Sequence, residues 1–395
     1  PHGGLVRTGV CMRVPAEAAA RLRPGTAEIQ CLTKGQFDAR LADMAEGVSP
    51  RDFFYGFLGL VERGYDARFQ RTDAPYQGFV GQVAHLHERL LSRFTGLSRR
   101  QHVLAEMASE WRDSKVMISF TDHFSLSLGD VMRNRLEHPY AIGLFHGLSD
   151  IENRMPTLGR VFSGGYVSRA LSGLDHIGFF GPADREEAIR RYGLDPDRTS
   201  VYPFGIDTEF WCPDASEAPE ETYVLSVGSD PSRDYATLVA APIDAPVRIV
   251  TRLPITVPAE RPNVAVLAGN YFESPLDDVG LRRLYRQASV VVVSLQDVFQ
   301  PTGYSVCLQA MACGRPVVLT DIRGLWSPGL YVDGEHCLLV PPRDPQAVAA
   351  AVHRILDDSA LARDLGNAAR TVTCEHHPLK RMDDGLEALV RLGMA

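Results

Sequence analysis

Short runs of apolar, β-branched residues recur along the chain, and between them lie longer stretches whose apolar positions fall three and four apart. The first pattern is that of buried parallel strands, and the second is that of helices laid over them. In the first half the runs predict strands at Ala27–Cys31, Asp66–Phe69, Lys115–Phe120, Tyr140–Phe145 and His176–Phe180, with another running from Val201 into a turn at Asp207. Helices are predicted at Gln82–Arg93, Tyr166–Leu174 and Arg185–Tyr192. A further helix opens at Ser49-Pro50-Arg51-Asp52 and closes near Gly64, because Ser caps, Pro suits the first helical position and an acid sits in the first turn. Lys34–Val48 reads as an exposed insertion, and the polar, proline-containing stretch Asp214–Glu221 reads as a linker between domains.

The second half repeats the alternation more cleanly. It predicts strands at Tyr223–Val227, Val247–Thr251, Val264–Leu267, Ser289–Val293, Pro316–Leu319 and Cys337–Val340. Helices are expected at Tyr235–Ala240, Leu281–Gln287, Val306–Ala312, Pro345–Leu356 and Ser359–Thr371, and most of Glu375–Ala395 forms one more. The expected architecture is α/β in two domains, 1–213 and 214–374, followed by a terminal helical segment, 375–395.

Composition narrows the class without choosing a chemistry. A chain of 395 residues, 45% hydrophobic and 23% charged, is ordinary for a globular protein of two domains or so. A net charge of −8 argues against a general nucleic-acid binder. No apolar run is long enough to cross a membrane, and Pro1–Arg7 shows no signal-peptide pattern. The seven cysteines, at 11, 31, 212, 307, 313, 337 and 374, are odd in number and never spaced Cys-x-x-Cys. That usage fits reduced thiols and a cytoplasmic location. Nearly all of the basic residues are Arg, the bias of a GC-rich bacterial genome.

Neither Gly-x-Gly-x-x-Gly nor a Gly-Lys dipeptide occurs, which counts against dehydrogenases and P-loop enzymes. The informative stretch is Phe299–Val318. There a strand ends in Pro301-Thr302-Gly303, and a helix starts at once through Tyr304-Ser305-Val306. A helix start of this kind presents N–H groups and a positive dipole end to a phosphate, and Gly303 lets the backbone come close. The same residues also fit an ordinary strand-to-helix loop.

This stretch resembles the donor-binding signature of glycosyltransferase family 4, retaining enzymes of GT-B fold. The family reads Glu, seven residues, then Glu-Ala-Met-Ala-x-Gly-x-Pro-Val. Gln309-Ala310-Met311-Ala312-Cys313-Gly314-Arg315-Pro316-Val317 follows it with Gln in place of the second Glu, and Pro301 stands where the first would be. By this resemblance Gln309 grips the donor ribose, while Pro301 gives up the side-chain contact to the sugar. Val224–Ser229 with Arg233 and Asp234 resembles the strand and loop whose cations meet the diphosphate: Arg233 aligns with the family Lys, and Ser229 replaces the family Arg after Gly228. Val201–Pro213 resembles the interdomain segment, Tyr331–Pro342 the later Asp-Gly and Leu-Val-x-Pro loop. Asn263–Tyr271 takes the position whose backbone meets the base, with Asn270 and Tyr271 at its end.

In the first half Tyr140–Phe145 runs into His146-Gly147, and the resemblance places such a His against the sugar; a satisfied histidine at a strand terminus is the plain alternative. His123, read as ending the preceding strand, is a second candidate, and Ser49–Phe53 reads either as lining the acceptor cleft or as capping a helix. Three patterns are set aside as metal sites: Asp195-Pro196-Asp197 in a helix-ending turn, His85-x-His87 on a helix, and Cys374-Glu375-His376-His377 before the last one.

The resemblance implies two Rossmann-like domains facing across a cleft, with the terminal helix crossing back to the first. It implies a metal-independent transferase of retaining type, with no cofactor besides its nucleotide-diphosphate sugar donor. His146 and Arg233 are the catalytic candidates. Gly228, Ser229, Asn270, Tyr271, Pro301, Thr302, Gly303, Tyr304, Ser305, Val306 and Gln309 join Arg233 as donor-binding candidates. The acceptor is a small molecule, a glycan or a lipid, with a membrane lipid disfavoured because no basic amphipathic helix stands out. Pseudo-glycosyl coupling, sugar-nucleotide epimerisation, or a degenerate partner protein are the other readings.

Overall fold

In a computed structural model, which describes residues 26–33, 37–71, 78–95, 100–106, 111, 113–155, 165–217, 221–268 and 276–395, each half of the alternation forms one parallel sheet. The first contains β1 (Ile29–Thr33), β2 (Ala67–Arg71), β3 (Val116–Ser119), β4 (Tyr140–Phe145), β5 (His176–Phe179) and β6 (Thr199–Val201), in the order β2-β1-β3-β4-β5-β6. The second contains β7 (Val224–Val227), β8 (Val247–Thr251), β9 (Val264–Ala268), β10 (Val290–Val293), β11 (Val317–Thr320) and β12 (Leu338–Val340), in the order β12-β11-β10-β7-β8-β9. Every pairing is parallel. In both sheets, as a doubly wound sheet requires, the order reverses beside a central strand, which leaves a crevice at the strands' carboxyl ends.

Helix boundaries follow local chemistry. Pro182–Tyr192 starts on Pro and stops at Gly193, whose φ of 64° carries the left-handed turn. The Asp234 and Asp344 carboxylates accept N–H bonds from Thr237 and Ala347 at the starts of Tyr235–Ala240 and Pro345–Asp357. Three expectations fail. Lys34–Val48 is not an exposed insertion, because Phe37–Ala45 is helical and buries Leu41 with Met44 against the core. The helix opening at Ser49 is instead a 3-10 turn, Asp52–Phe54, and a separate helix, Phe57–Glu62, divided by Tyr55 and Gly56 at φ 47° and 81°. Ser49 caps nothing; its hydroxyl donates to Asp278 across the molecule. His123 does not end a strand but lies exposed in the first turn of an unforeseen helix, Asp122–Met132.

The two halves share one apolar core. Ile118 and Leu144 of the first sheet belong to the same cluster as Leu225 and Val293 of the second, joined through Phe204, Ile206 and Trp211. Asp52 sits at this seam with both carboxyl oxygens engaged. Oδ1 accepts the Asp207 N–H at 2.5 Å, and Oδ2 accepts the Trp211 indole N–H at 2.8 Å. Burial, then the Asp207 carboxylate, pushes its pKa well above the usual carboxylate range. The last helix, Leu379–Met394, leaves the second half and lies on the first, where Met382, Leu386, Leu389 and Val390 complete the core. Arg63 pairs with Asp384 at 2.6 Å, and the Tyr65 hydroxyl donates to Glu387 at 2.9 Å.

The turn into that helix carries a buried histidine. His377 donates from Nδ1 to the Phe204 carbonyl at 3.2 Å, and burial, with Arg381 and His376 nearby, holds its pKa down to about 4. Below its ordinary value of 6.5, the unfolded chain takes up a proton that the folded chain refuses. Its contribution is therefore present above pH 6.5 and lost as pH falls toward 4, on the order of 3 kcal/mol at the far end. His377→Phe should lower the urea midpoint at pH 7 yet flatten its fall between pH 6.5 and 4.5. An equal fall in the variant rules the role out.

Candidate active site

The crevices of the two sheets meet at two loops. β7 ends at Val227, and the loop that follows from Gly228 is stitched to the end of β10: Asp234 N–H donates to Ser294 O at 3.0 Å, Gln296 N–H donates to Ser232 O at 2.9 Å, and Arg233 bridges Leu295. This fixes the backbone of Arg233, whose side chain is only 6% exposed. Its guanidinium lies between two glycines. A Cβ on Gly228 would stand 2.5 Å from Nε and Nη2, and one on Gly303 would stand 3.1 Å from Nη1. Both glycines also hold positive φ, 138° and 82°, so each position excludes a side chain twice over.

Gly303 is the N-cap of helix Tyr304–Ala312, and no side chain caps it. Arg233 Nε and Nη1 are buried without a hydrogen-bond partner. A cation with two unsatisfied donors, set beside a helix N-terminus, is costly unless an anion completes it. Positive charge converges here from side chain and backbone together.

The first half closes over this point. His146, at the end of β4, accepts at Nδ1 from the Tyr304 hydroxyl at 3.0 Å. Its tautomer follows from the other nitrogen, which faces the Phe120 carbonyl at 2.9 Å and so must carry the hydrogen. The imidazole stacks on Phe180 with centroids 4.2 Å apart. Three carboxylates hold its loop. Asp122 accepts the His146 N–H at 2.6 Å, Asp184 accepts those of Ser149 and Leu148 at 2.8 and 3.2 Å, and Asp150 accepts the Gln300 N–H at 2.7 Å. Burial pushes Asp184 up to about 7 against the pull of its Ser149 bonds. None of these carboxylates belongs to a recognisable sequence motif; only their positions after successive parallel strands could have suggested them.

Among the sequence candidates, Gly228, Arg233, Gly303, Tyr304 and His146 converge. Pro301 packs on Gly181 of the first half, and Thr302 is buried with its hydroxyl 3.3 Å from Asp230, which also accepts the Gln300 amide at 2.9 Å. Ser305 is half-buried in the first helical turn, and the Val306 side chain belongs to the core. Two candidates point elsewhere. The Ser229 hydroxyl accepts the Arg252 N–H at 2.9 Å, and Gln309 is fully enclosed, with the Tyr285 hydroxyl donating to its Oε1 at 3.2 Å. Asn270 and Tyr271 lie outside the described residues. Ser49 and Arg40 both reach Asp278, at 2.6 and 3.1 Å, so that segment ties the halves together.

Residues 244–358 match the family model for glycosyl transferases group 1. The chain is 29% identical over 218 residues to alpha-maltose-1-phosphate synthase of Mycolicibacterium smegmatis, covering 47% of this chain and 55% of that protein. It is 29% identical over 217 residues to D-inositol 3-phosphate glycosyltransferase 2 of Catenulispora acidiphila, covering 47% and 49%. The chain thus spans about half the length of the curated relatives it matches. Among solved structures, sucrose-phosphate synthase from Thermosynechococcus elongatus superposes with a TM-score of 0.66 at 21% identity, covering 92% of this chain and 98% of that one. Anabaena HepE in complex with UDP-glucose superposes with a TM-score of 0.63 at 14% identity, covering 92% and 99%. At these identities the likeness shows the fold, which is GT-B: two Rossmann-like halves with the terminal helix returned to the first.

Proposed function

From a second half that carries a glycosyl transferases group 1 domain on a GT-B fold, we propose that the chain is a retaining, metal-independent glycosyltransferase. It moves a sugar from a nucleotide-diphosphate donor to an acceptor hydroxyl in the cytoplasm. The observation that carries this reading is Arg233, a buried guanidinium with two unpartnered nitrogens between Gly228 and Gly303 at a helix N-terminus. In this reading residues 214–374 bind the donor, 1–213 bind the acceptor, and 375–395 strap the two together.

Arg233, the amides of Gly303 to Val306 and the helix dipole stabilise the diphosphate as it leaves, while the Thr302 N–H is taken by the Gln300 carbonyl. That supplies at a fixed site the charge compensation a divalent cation would otherwise give. His146, fixed as the Nε2–H tautomer, presents Nδ1 to the cleft; a sugar hydroxyl takes the place that the Tyr304 hydroxyl now holds. The acceptor attacks from the face the diphosphate leaves, without a covalent sugar–protein intermediate. Cleft closure excludes water and limits donor hydrolysis. The acceptor is a small molecule, a glycan or a lipid-borne hydroxyl.

Calorimetry with UDP, GDP and ADP and their glucose or mannose derivatives, in the presence of a chelator, tests the reading. One nucleoside diphosphate should bind selectively, and its sugar derivative should turn over slowly to free sugar of unchanged anomeric configuration. Binding by none of them, with or without magnesium, overturns it.

A further inference from the structure

We propose that helix Gly78–Thr95 docks this protein on an anionic lipid surface. The inference stands apart from the donor site and does not depend on the proposed reaction. The helix follows β2, in the half opposite the donor site, and its inner side is fixed by Glu88. That carboxylate is buried and accepts the His102 N–H at 2.9 Å. Its outer side is apolar where solvent should favour polar residues. Val83 is 52% exposed, Leu86 57% and Leu90 48%. At 100° per residue these three fall within an arc of about 60°.

The residues flanking that arc are basic and exposed: Arg89 and Arg93 on one side, His87 on the other. No exposed carboxylate occurs among the described side chains of this helix, although the chain as a whole carries a net charge of −8. Scattered exposed leucines need no explanation, but a contiguous stripe rimmed by one sign of charge marks a contact surface. An apolar stripe with arginines along its edge is the arrangement that lies in the headgroup region of a bilayer, side chains down and guanidiniums on lipid phosphates. Charge complementarity selects anionic lipid over neutral lipid. With Glu88 buried, these apolar positions face outward, on a helix that the sequence pattern alone did not single out as basic and amphipathic.

The test uses the full chain and vesicles of phosphatidylcholine, alone or mixed with phosphatidylglycerol. The protein should co-sediment with the mixed vesicles at least tenfold better than with the neutral ones, and binding should weaken as salt is raised. Arg89→Gln with Arg93→Gln should lower binding roughly fivefold per arginine. Leu86→Glu with Leu90→Glu should abolish it while leaving the thermal transition and nucleotide binding unchanged. Equal sedimentation with both vesicle types, or equal binding by wild type and the leucine variant, overturns the proposal. So does a wild-type dimer that Leu86→Glu dissolves without any vesicle binding, since the stripe is then a protein interface.

Discussion

Replacing Arg233 with alanine should weaken nucleoside diphosphate binding by more than a hundredfold and leave the fold at least as stable. The two halves of this expectation come from one observation. Arg233 Nε and Nη1 are buried and unpartnered, so the free protein gains nothing from them. Removing a buried, unpaired charge relieves desolvation. A bound diphosphate instead takes two charge-assisted hydrogen bonds of about 1.5–3 kcal/mol each, and losing both costs on the order of 3–5 kcal/mol, a few hundredfold or more. Arg233→Lys keeps the charge but not the fork and should fall between. Calorimetry and thermal unfolding on the same samples decide the matter. A loss of stability matching the loss of affinity would make Arg233 a structural residue.

The largest effect on stability should come from Trp211→Ala. Trp211 is fully buried at the seam, edge-on to Tyr285 of the second half at 5.9 Å and hydrogen-bonded to Asp52 of the first. Truncation removes a large apolar contact at about 3–5 kcal/mol and also strips a donor from a buried carboxylate. Because the residue joins both halves, the loss should separate one urea transition, followed by circular dichroism, into two. Trp211→Phe keeps most of the packing but orphans Asp52 Oδ2, and should cost about 1–3 kcal/mol without splitting the transition. A single, unshifted transition for Trp211→Ala would show that the halves are held by other contacts.

The strand pattern was plain in the sequence because parallel strands buried on both faces read as short unbroken apolar runs. Val290–Val293 and Tyr140–Phe145 are examples. Helix Asp122–Met132 was hidden for the opposite reason. Phe124, Leu126 and Leu128 alternate with Ser125, Ser127 and Gly129, and all are buried, so no polar face reveals the helical period. Its serines satisfy themselves on carbonyls, Ser125 on Leu144 O at 2.9 Å and Ser127 on His123 O at 2.8 Å, where the sequence shows only polar residues. In the site, the Gly303 turn was legible from local spacing, and Arg233 only through the family resemblance. The Tyr304–His146 bond, spanning 158 residues, was not. Nor was the enclosure of Gln309, since a helix position shared with a motif does not tell which neighbour its side chain will meet.

The returning helix also sets an order of events during synthesis. The second sheet runs unbroken from Val224 to Val340, so its strands can pair as they emerge. The first sheet is complete at Val201, yet the apolar surface closed by Met382, Leu386, Leu389 and Val390 stays uncovered until residues 379–394 are made. At 5–20 residues per second, that interval lasts roughly ten to forty seconds on the ribosome. For that time the nascent first half exposes an apolar surface, a natural hold for a chaperone, and a message cut short before the codon for Leu379 would leave that surface open for good.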